Sequence, residues 1–272
     1  MPVMAQSNQT ERLVRIAVLD CDYTAPKVAE TWGPTYGNIF AHRLKAAAES
    51  VCSTKLLDFS FYDILKNEIP NADAEFDAII ITGSVKAVYD PDAWIPNFKS
   101  FIQETYHHRP QVRMFGACFG HQIISEALLE QFGAIVEKDP NGYEVGVQTI
   151  SLNPAFSAHF RHVLDLDDEN KLRMQFAHGD HVRLDLPWPE SWMSIGSTSH
   201  CRIQGVFQPG RVLTFQGHFE FDQEISTNSM KYFYTAERGF TTEDLNSALR
   251  QVQQPDDADE AAKLLFAFLA EV

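Results

Sequence analysis

Gly116-Ala117-Cys118-Phe119-Gly120 is the segment of this chain with the most chemical content. An apolar run, Val112-Arg113-Met114-Phe115, precedes it, and an apolar-periodic run from Ile123 to Leu129 follows. The pattern predicts a strand, a sharp turn and a helix, with a nucleophile at the apex of the turn. Glycine on either side lets the backbone turn where a side chain would collide with its neighbours. A helix that begins just after Cys118 presents its positive end to the sulfur and favours the thiolate. The five residues alone are also compatible with a buried structural cysteine. The flanking strand and helix favour the elbow.

A cysteine nucleophile needs a base, and the base needs a group to orient it. Phe215-Gln216-Gly217-His218-Phe219-Glu220 supplies both types. Val212 to Phe215 reads as a strand, and if the chain stays extended, His218 and Glu220 at i and i+2 project from one face. Glu220 then accepts a hydrogen bond from one imidazole nitrogen while the other faces Cys118. Taken alone, a His-x-Glu pair is an exposed strand end, and it gains meaning only from the elbow.

Gly116-Ala117-Cys118-Phe119-Gly120-His121-Gln122 with Gln216-Gly217-His218-Phe219-Glu220 resembles the class I glutamine amidotransferase-like family, whose triad is Cys-His-Glu. Ile80-Ile81-Thr82-Gly83-Ser84, with Ala87-Val88-Tyr89-Asp90 and Ala93-Trp94-Ile95, resembles the oxyanion-strand loop of stand-alone members similar to γ-glutamyl peptidases. His178-Gly179-Asp180-His181-Val182 is similar to the family's H-G-D-x-V segment, although its second histidine, His181, matches no family position. Phe219 departs from the proline that many members carry between the catalytic His and Glu. The resemblance covers roughly residues 13 to 235.

It implies Cys118, His218 and Glu220 as a triad, and an oxyanion hole from Gly83 or Ser84 and Phe119. It also implies a glutamyl-binding side formed by Gln122, Tyr143-Glu144-Val145-Gly146, His178 and Asp180. The implied activity is hydrolysis of γ-glutamyl amide bonds, in γ-glutamyl peptides, glutathione or its conjugates, or glutamine. Two other readings stay open. One is a glutaminase subunit that passes ammonia to a separate synthase. The other is a catalytically silent binding module, against which the complete triad weighs. The residues after 235 are too few and too helical for a synthase domain, which favours a free-standing hydrolase.

At 272 residues, 44% hydrophobic and 22% charged, the chain has a globular balance and can bury one sizeable core. A net charge of −15 argues against a nucleic-acid partner, because phosphate binding needs a basic patch. The cysteines Cys21, Cys52, Cys118 and Cys201 show no framework spacing, which suits a reducing compartment. No apolar run approaches the ~20 residues of a membrane span, and cytoplasm is the expected location. No cofactor and no metal are expected. His178, Asp180 and His181 are crowded, and no further ligands follow at a familiar spacing. Gly83-Ser84 lacks the residues of a phosphate loop.

Apolar runs predict parallel strands at Val14–Leu19, Lys55–Ser60, Ala78–Ile81 and Val112–Phe115, and helices at Gly37–Glu49 and Trp94–Tyr106. Alternation of this kind points to a doubly wound α/β sheet, mostly parallel and flanked by helices, flavodoxin-like in type. In such sheets the reactive groups gather at the carboxyl ends of the strands, where Gly83, Cys118 and His218 all fall. Shorter strands are predicted at Ala134–Glu137, Val145–Ser151, Leu172–Phe176, Trp192–Ser197, Ile203–Gln208 and Val212–Gln216, in a more antiparallel half. The domain is expected over 13–235, after a disordered tail over 1–12. A helical extension over 236–272 follows, with Thr242 as an N-cap and a last helix, Ala258 to Val272, packed on the domain. His107-His108 reads as a solvated helix end. Trp188 and Trp192 could line a rim or fill the core.

Overall fold

The structure, a computed structural model, describes residues 12–71, 73–164, 170–185 and 187–270. The tail expected over 1–12 lies almost wholly outside them. In chain order the elements are β1 (Leu13–Asp20), α1 (Pro26–Trp32), α2 (Gly37–Ser50), β2 (Leu56–Asp63), β3 (Ala78–Ile81), α3 (Trp94–His108), β4 (Arg113–Ala117), α4 (Phe119–Leu129), β5 (Ala134–Lys138), β6 (Glu144–Leu152) and α5 (Pro154–His159). They continue with β7 (Lys171–His178), β8 (Asp180–Leu184), β9 (Met193–Ser194), β10 (Gly196–Ser197), β11 (Val206–Gln208), β12 (Val212–Phe215), α6 (Gln223–Phe233), α7 (Thr242–Gln251) and α8 (Ala258–Ala270).

The central sheet has seven strands in the order β2-β1-β3-β4-β12-β11-β9. The first five are parallel, and β11 and β9 add on antiparallel. Strand residues alternate between two cores, as a pleat buried on both faces requires. Val14, Ile16 and Val18 of β1 pack on one side with Phe40 and Leu44 of α2 and with Leu264, Leu265 and Phe268 of α8. Ala17 and Leu19 pack on the other with Phe98 and Ile102 of α3 and Ile123 of α4. The sheet is thus the mostly parallel, helix-flanked α/β sheet expected. The register sets Ile81 beside Gly116, and Ala117 beside Phe215, so the carboxyl ends of β3, β4 and β12 meet at one point.

The remaining strands form a three-stranded sheet, β10-β6-β7, and a pair, β5-β8, both antiparallel. The strand expected over 192–197 divides at Ile195 into β9 and β10, which join different sheets. Gly196 makes this possible with a φ of +157°, and a Cβ there would lie 2.4 Å from the Ser151 carbonyl oxygen. The strand expected over 203–208 is confined to β11. Trp192 is buried in the core, and Trp188 packs against the same core. His107 and His108 are exposed at the end of α3. The N-cap of α7 is Thr241 rather than Thr242: its hydroxyl accepts from Asp244 N–H at 3.1 Å, and the Asp244 carboxylate accepts from Thr241 N–H at 2.8 Å. Among the described residues no helix is long and apolar enough to cross a membrane.

Candidate active site

Cys118 sits between β4 and α4 with φ +51° and ψ −108°, a conformation rare for a residue with a side chain and one that stores on the order of 1–3 kcal/mol. Neighbouring structure holds it there. Its N–H donates to the Phe215 carbonyl at 2.8 Å, and its own carbonyl accepts the Gln122 N–H at 3.0 Å to begin the helix. Both flanking glycines meet backbone. A Cβ on Gly116 would lie 2.4 Å from the Gly120 carbonyl group, and one on Gly120 would lie 2.3 Å from the Ile81 carbonyl oxygen. The N–H groups of Phe119, Gly120 and His121 belong to the first turn of α4, whose donors find no partner within the helix.

β12 ends at Phe215, so His218 and Glu220 do not lie on a continuing strand. His218 instead forms an isolated bridge with Gln175 of β7, donating its N–H to the Gln175 carbonyl at 2.7 Å. Gln175 is fixed in turn by bonds from its amide to the Val252 carbonyl and to Asp256. His218 Nδ1 bonds Glu220 Oε1 at 2.7 Å, and Cys118 lines the same cavity beside the ring. Burial would lower the affinity of this imidazole for a proton. The Glu220 charge, its hydrogen bond and the neighbouring Cys118 outweigh it and raise the His218 pKa to about 10. Phe221 stacks on the His218 ring at 4.2 Å with the planes 5° apart. Phe219, at the position where the resembling family often has proline, is buried among Phe40, Phe115 and Phe215 and anchors the loop apolarly.

Gly83 completes the cluster: a Cβ there would lie 3.0 Å from His218 Cε1 and 3.6 Å from Cys118 Cβ. The adjoining loop is held by Asp22, whose carboxylate accepts from Ser84 Oγ at 3.2 Å and Val85 N–H at 2.7 Å. His121, in the elbow sequence itself, is no alternative base. Its Nδ1 lies 2.8 Å from Thr214 Oγ1, and complete burial lowers its pKa to about 3, keeping it neutral.

A cavity of about 150 Å³ opens over Cys118 and His218. Gln122, Tyr143, His178 and Asp180 line it, together with Gly83 and Ser84. Gln122 donates to the Asp180 carbonyl at 3.2 Å and to Gln216 Oε1 at 3.1 Å. The Asp180 carboxylate accepts from the Tyr89 hydroxyl at 2.8 Å. Glu144 and Val145 are not among the lining residues. Val145 packs against the apolar cluster of Met230, Tyr234, Ala248 and Val252. Glu144 is buried behind the wall, where it meets His178 Nε2 at 3.0 Å, Thr198 Oγ1 at 2.6 Å and Gln204 Nε2 at 2.6 Å. Those bonds outweigh burial and hold its carboxyl below the usual range.

Part of the lining was not anticipated from the sequence. Met230, Phe233, Tyr234, Arg238 and Phe240, from α6 and the turn after it, also line the cavity, and Tyr143 packs edge-on against Phe240 at 4.6 Å and Tyr234 at 5.9 Å, so the aromatic lining is continuous with Tyr143. Asp222 caps α6 by accepting the Ile225 N–H at 2.8 Å, and Asp222 followed by Ile225, Met230 and Phe233 is the signal from which this helix could have been read.

A model of the class I glutamine amidotransferase family matches residues 37–234. A glutamine amidotransferase-like protein of Schizosaccharomyces pombe is 28% identical over 265 residues, 94% of this chain and 98% of that protein. Gamma-glutamyl peptidase 3 of Arabidopsis thaliana is 25% identical over 218 residues, covering 79% of this chain and 80% of that one. The crystal structure of a glutamine amidotransferase from Thermotoga maritima shares the fold, with a TM-score of 0.62 at 18% identity over 95% of this chain and 96% of that one.

Proposed function

This chain belongs to the class I glutamine amidotransferase family, and from that premise we propose that it is a cysteine-dependent hydrolase of γ-glutamyl amide bonds. The observation that carries the reading is that Cys118 and His218, the latter held by Glu220, open into one cavity whose lining includes an aromatic cluster. The Cys118 thiolate attacks the γ-carbonyl carbon. The oxyanion that forms is met by the N–H groups of Phe119 and of Gly83 or Ser84. The His218 imidazolium, oriented by Glu220, gives its proton to the leaving amine as the amide C–N bond breaks. Water then attacks the γ-glutamyl thioester, His218 takes its proton, and glutamate leaves as the thiolate returns. Gln122, Tyr143 and the Asp180 carboxylate hold the glutamyl α-amino and α-carboxylate groups, while His178, its two ring nitrogens taken by the Asp180 carbonyl and Glu144, shapes the wall behind them.

Ammonia, the leaving group of glutamine, needs no wall. The aromatic lining of Phe233, Tyr234 and Phe240 suits a larger leaving amine, as in a γ-glutamyl dipeptide, glutathione or an S-substituted conjugate of it. The name of the Arabidopsis relative points the same way. Purified protein alone is expected to release glutamate from such peptides faster than from glutamine, read by mass spectrometry. If it is inert on every γ-glutamyl peptide and releases ammonia from glutamine only when cell extract is added, the glutaminase-subunit reading replaces this one.

The thiols should sort by reactivity rather than by exposure. Cys52 is exposed, whereas Cys118 is 6% accessible. Burial pushes the thiols of Cys21 and Cys201 up, the latter to about 12. Limiting iodoacetamide at neutral pH is expected to label Cys118 first and Cys52 second, by peptide mapping. Labelling of Cys52 ahead of Cys118 would remove the case for an activated nucleophile.

A further inference from the structure

Behind the Glu144–His178 wall, three segments distant in sequence bring Asp139, His181 and Cys201 together, with one donor atom from each lying within 4.8 Å of the others. Asp139 is the centre. Its Oδ1 accepts the Asn141 N–H at 2.8 Å, but its Oδ2 is buried with no hydrogen-bond partner. Two imidazole nitrogens flank that oxygen, His181 Nδ1 at 3.4 Å and His200 Nε2 at 3.6 Å. These are poor hydrogen bonds. Both match the spacing of ligands on one small cation, because bonds of 2.0–2.3 Å in a tetrahedron set donor atoms about 3.3 to 3.8 Å apart; Cys201, within 4.8 Å of Asp139 and His181, has to draw in by about 1 Å to join them. We propose that Asp139, His181 and Cys201 form a structural site for a divalent transition metal of the zinc class, and that His200, 3.6 Å from Asp139 Oδ2 but outside that three-residue group, turns in as the fourth ligand.

The donor chemistry is one carboxylate oxygen, two imidazole nitrogens and one thiolate, a borderline-soft set that hard cations such as magnesium do not favour. Charge balances as well. The cation displaces the thiol proton of Cys201 to solvent, and two ligand anions then neutralise its two charges in a buried place. The surroundings are those of a built site. His181 Nε2 is buried without a hydrogen-bond partner and faces Glu137 Oε1 at 3.7 Å, the carboxylate–histidine relation that orients a metal-bound imidazole. Thr198 Oγ1 accepts the N–H groups of both His200 (3.3 Å) and Cys201 (3.1 Å), fixing the turn that presents two of the ligands. His200 reaches the site by leaving the Gly142 carbonyl, now 3.2 Å from its Nε2.

The ion would tie the turn after β5, strand β8 and the 198–203 loop into one piece. Thr198 of that loop and Gln204 just after it hold Glu144, so the metal would brace the wall that carries His178. The expectation of no metal from the sequence rested on His178, Asp180 and His181. The fold uses only His181 of the three, and takes its partners from positions 139 and 201.

The test is titration of Co²⁺ into the chelator-treated full chain. One equivalent should give tetrahedral d–d bands and a thiolate-to-cobalt charge-transfer band in the near ultraviolet. Cys201→Ser should lose the charge-transfer band, Cys52→Ser should keep it, and Glu137→Gln should weaken binding roughly 10- to 100-fold. Absence of the bands in the wild type, or their survival in Cys201→Ser, overturns the site. Should Cys201→Ser fail to fold, the wild type decides the matter: Zn²⁺ must protect Cys201, and not Cys52, from a thiol reagent in mild denaturant. Equal labelling of Cys201 with and without Zn²⁺ overturns the proposal.

Discussion

Cys118→Ala and His218→Ala should each lower the rate of γ-glutamyl hydrolysis by on the order of 10³-fold or more, and the double variant should lose little beyond either. The non-additivity follows from the geometry. His218 has no reacting partner without the sulfur, and the sulfur has no proton donor for the leaving amine without His218. Glu220→Gln should cost less, because the imidazole is also held by its backbone bridge to Gln175 and by the stacked ring of Phe221. It should act on the pH profile instead. The His218 pKa is raised to about 10 against the lowering effect of burial, with the Glu220 charge the largest of the raising causes. The imidazolium is therefore present below that pH and lost above it, so the rate should fall on the alkaline side near pH 10 in the wild type. Removing the Glu220 charge moves that limb to lower pH. Steady-state rates of the three single variants and the double variant across pH check both statements. Most of the activity surviving in His218→Ala would require another base and would overturn the assignment of His218.

What could be read from the sequence is what local pattern determines. The apolar runs of β1, β3 and β4 are buried on both faces, so their strand character needs no knowledge of neighbours. The glycines around Cys118 mark a turn whatever it packs against. His218 and Glu220 were also legible as a pair, although for a partly wrong reason. The extended chain expected to align them stops at Phe215, and their contact depends on the bridge to Gln175, a residue of another sheet. Features that arise only from the meeting of distant segments were not legible. Phe221 looks like any core aromatic until it is found under the imidazole. Glu144 was assigned to the glutamyl side, but its partners His178, Thr198 and Gln204 draw it behind the wall. Asp139 and Cys201 carry no motif because their spacing is set by the folding of β5, β8 and the 198–203 loop. The lining residues from Met230 to Phe240 were placed at the end of the domain and beyond it, since nothing in their pattern says that they share a cavity with Cys118.

Gly120→Ala should cost about 3 kcal/mol of folding stability or more, or leave the protein insoluble, although it adds a single methyl group. In an exposed helix Gly to Ala is stabilising by roughly 1 kcal/mol, so propensity alone predicts the opposite sign. Packing decides. The added Cβ would lie 2.3 Å from the Ile81 carbonyl oxygen and 2.9 Å from its carbon. Those atoms belong to β3, a central strand hydrogen-bonded on both sides between β1 and β4, and they cannot move without shifting the sheet. The other way to make room is to lift α4 from the sheet, which would carry the first-turn N–H groups and Cys118 with it. Gly83→Ala is the informative contrast. Its nearest contact is the edge of the His218 ring at 3.0 Å rather than backbone, so it should keep the fold and lose rate. Urea unfolding and γ-glutamyl hydrolysis measured on both variants separate the two effects. A Gly120→Ala protein with the wild-type midpoint would mean that helix and strand do not approach as closely as the elbow requires, and the backbone donors assigned to the oxyanion would then lose their placement too.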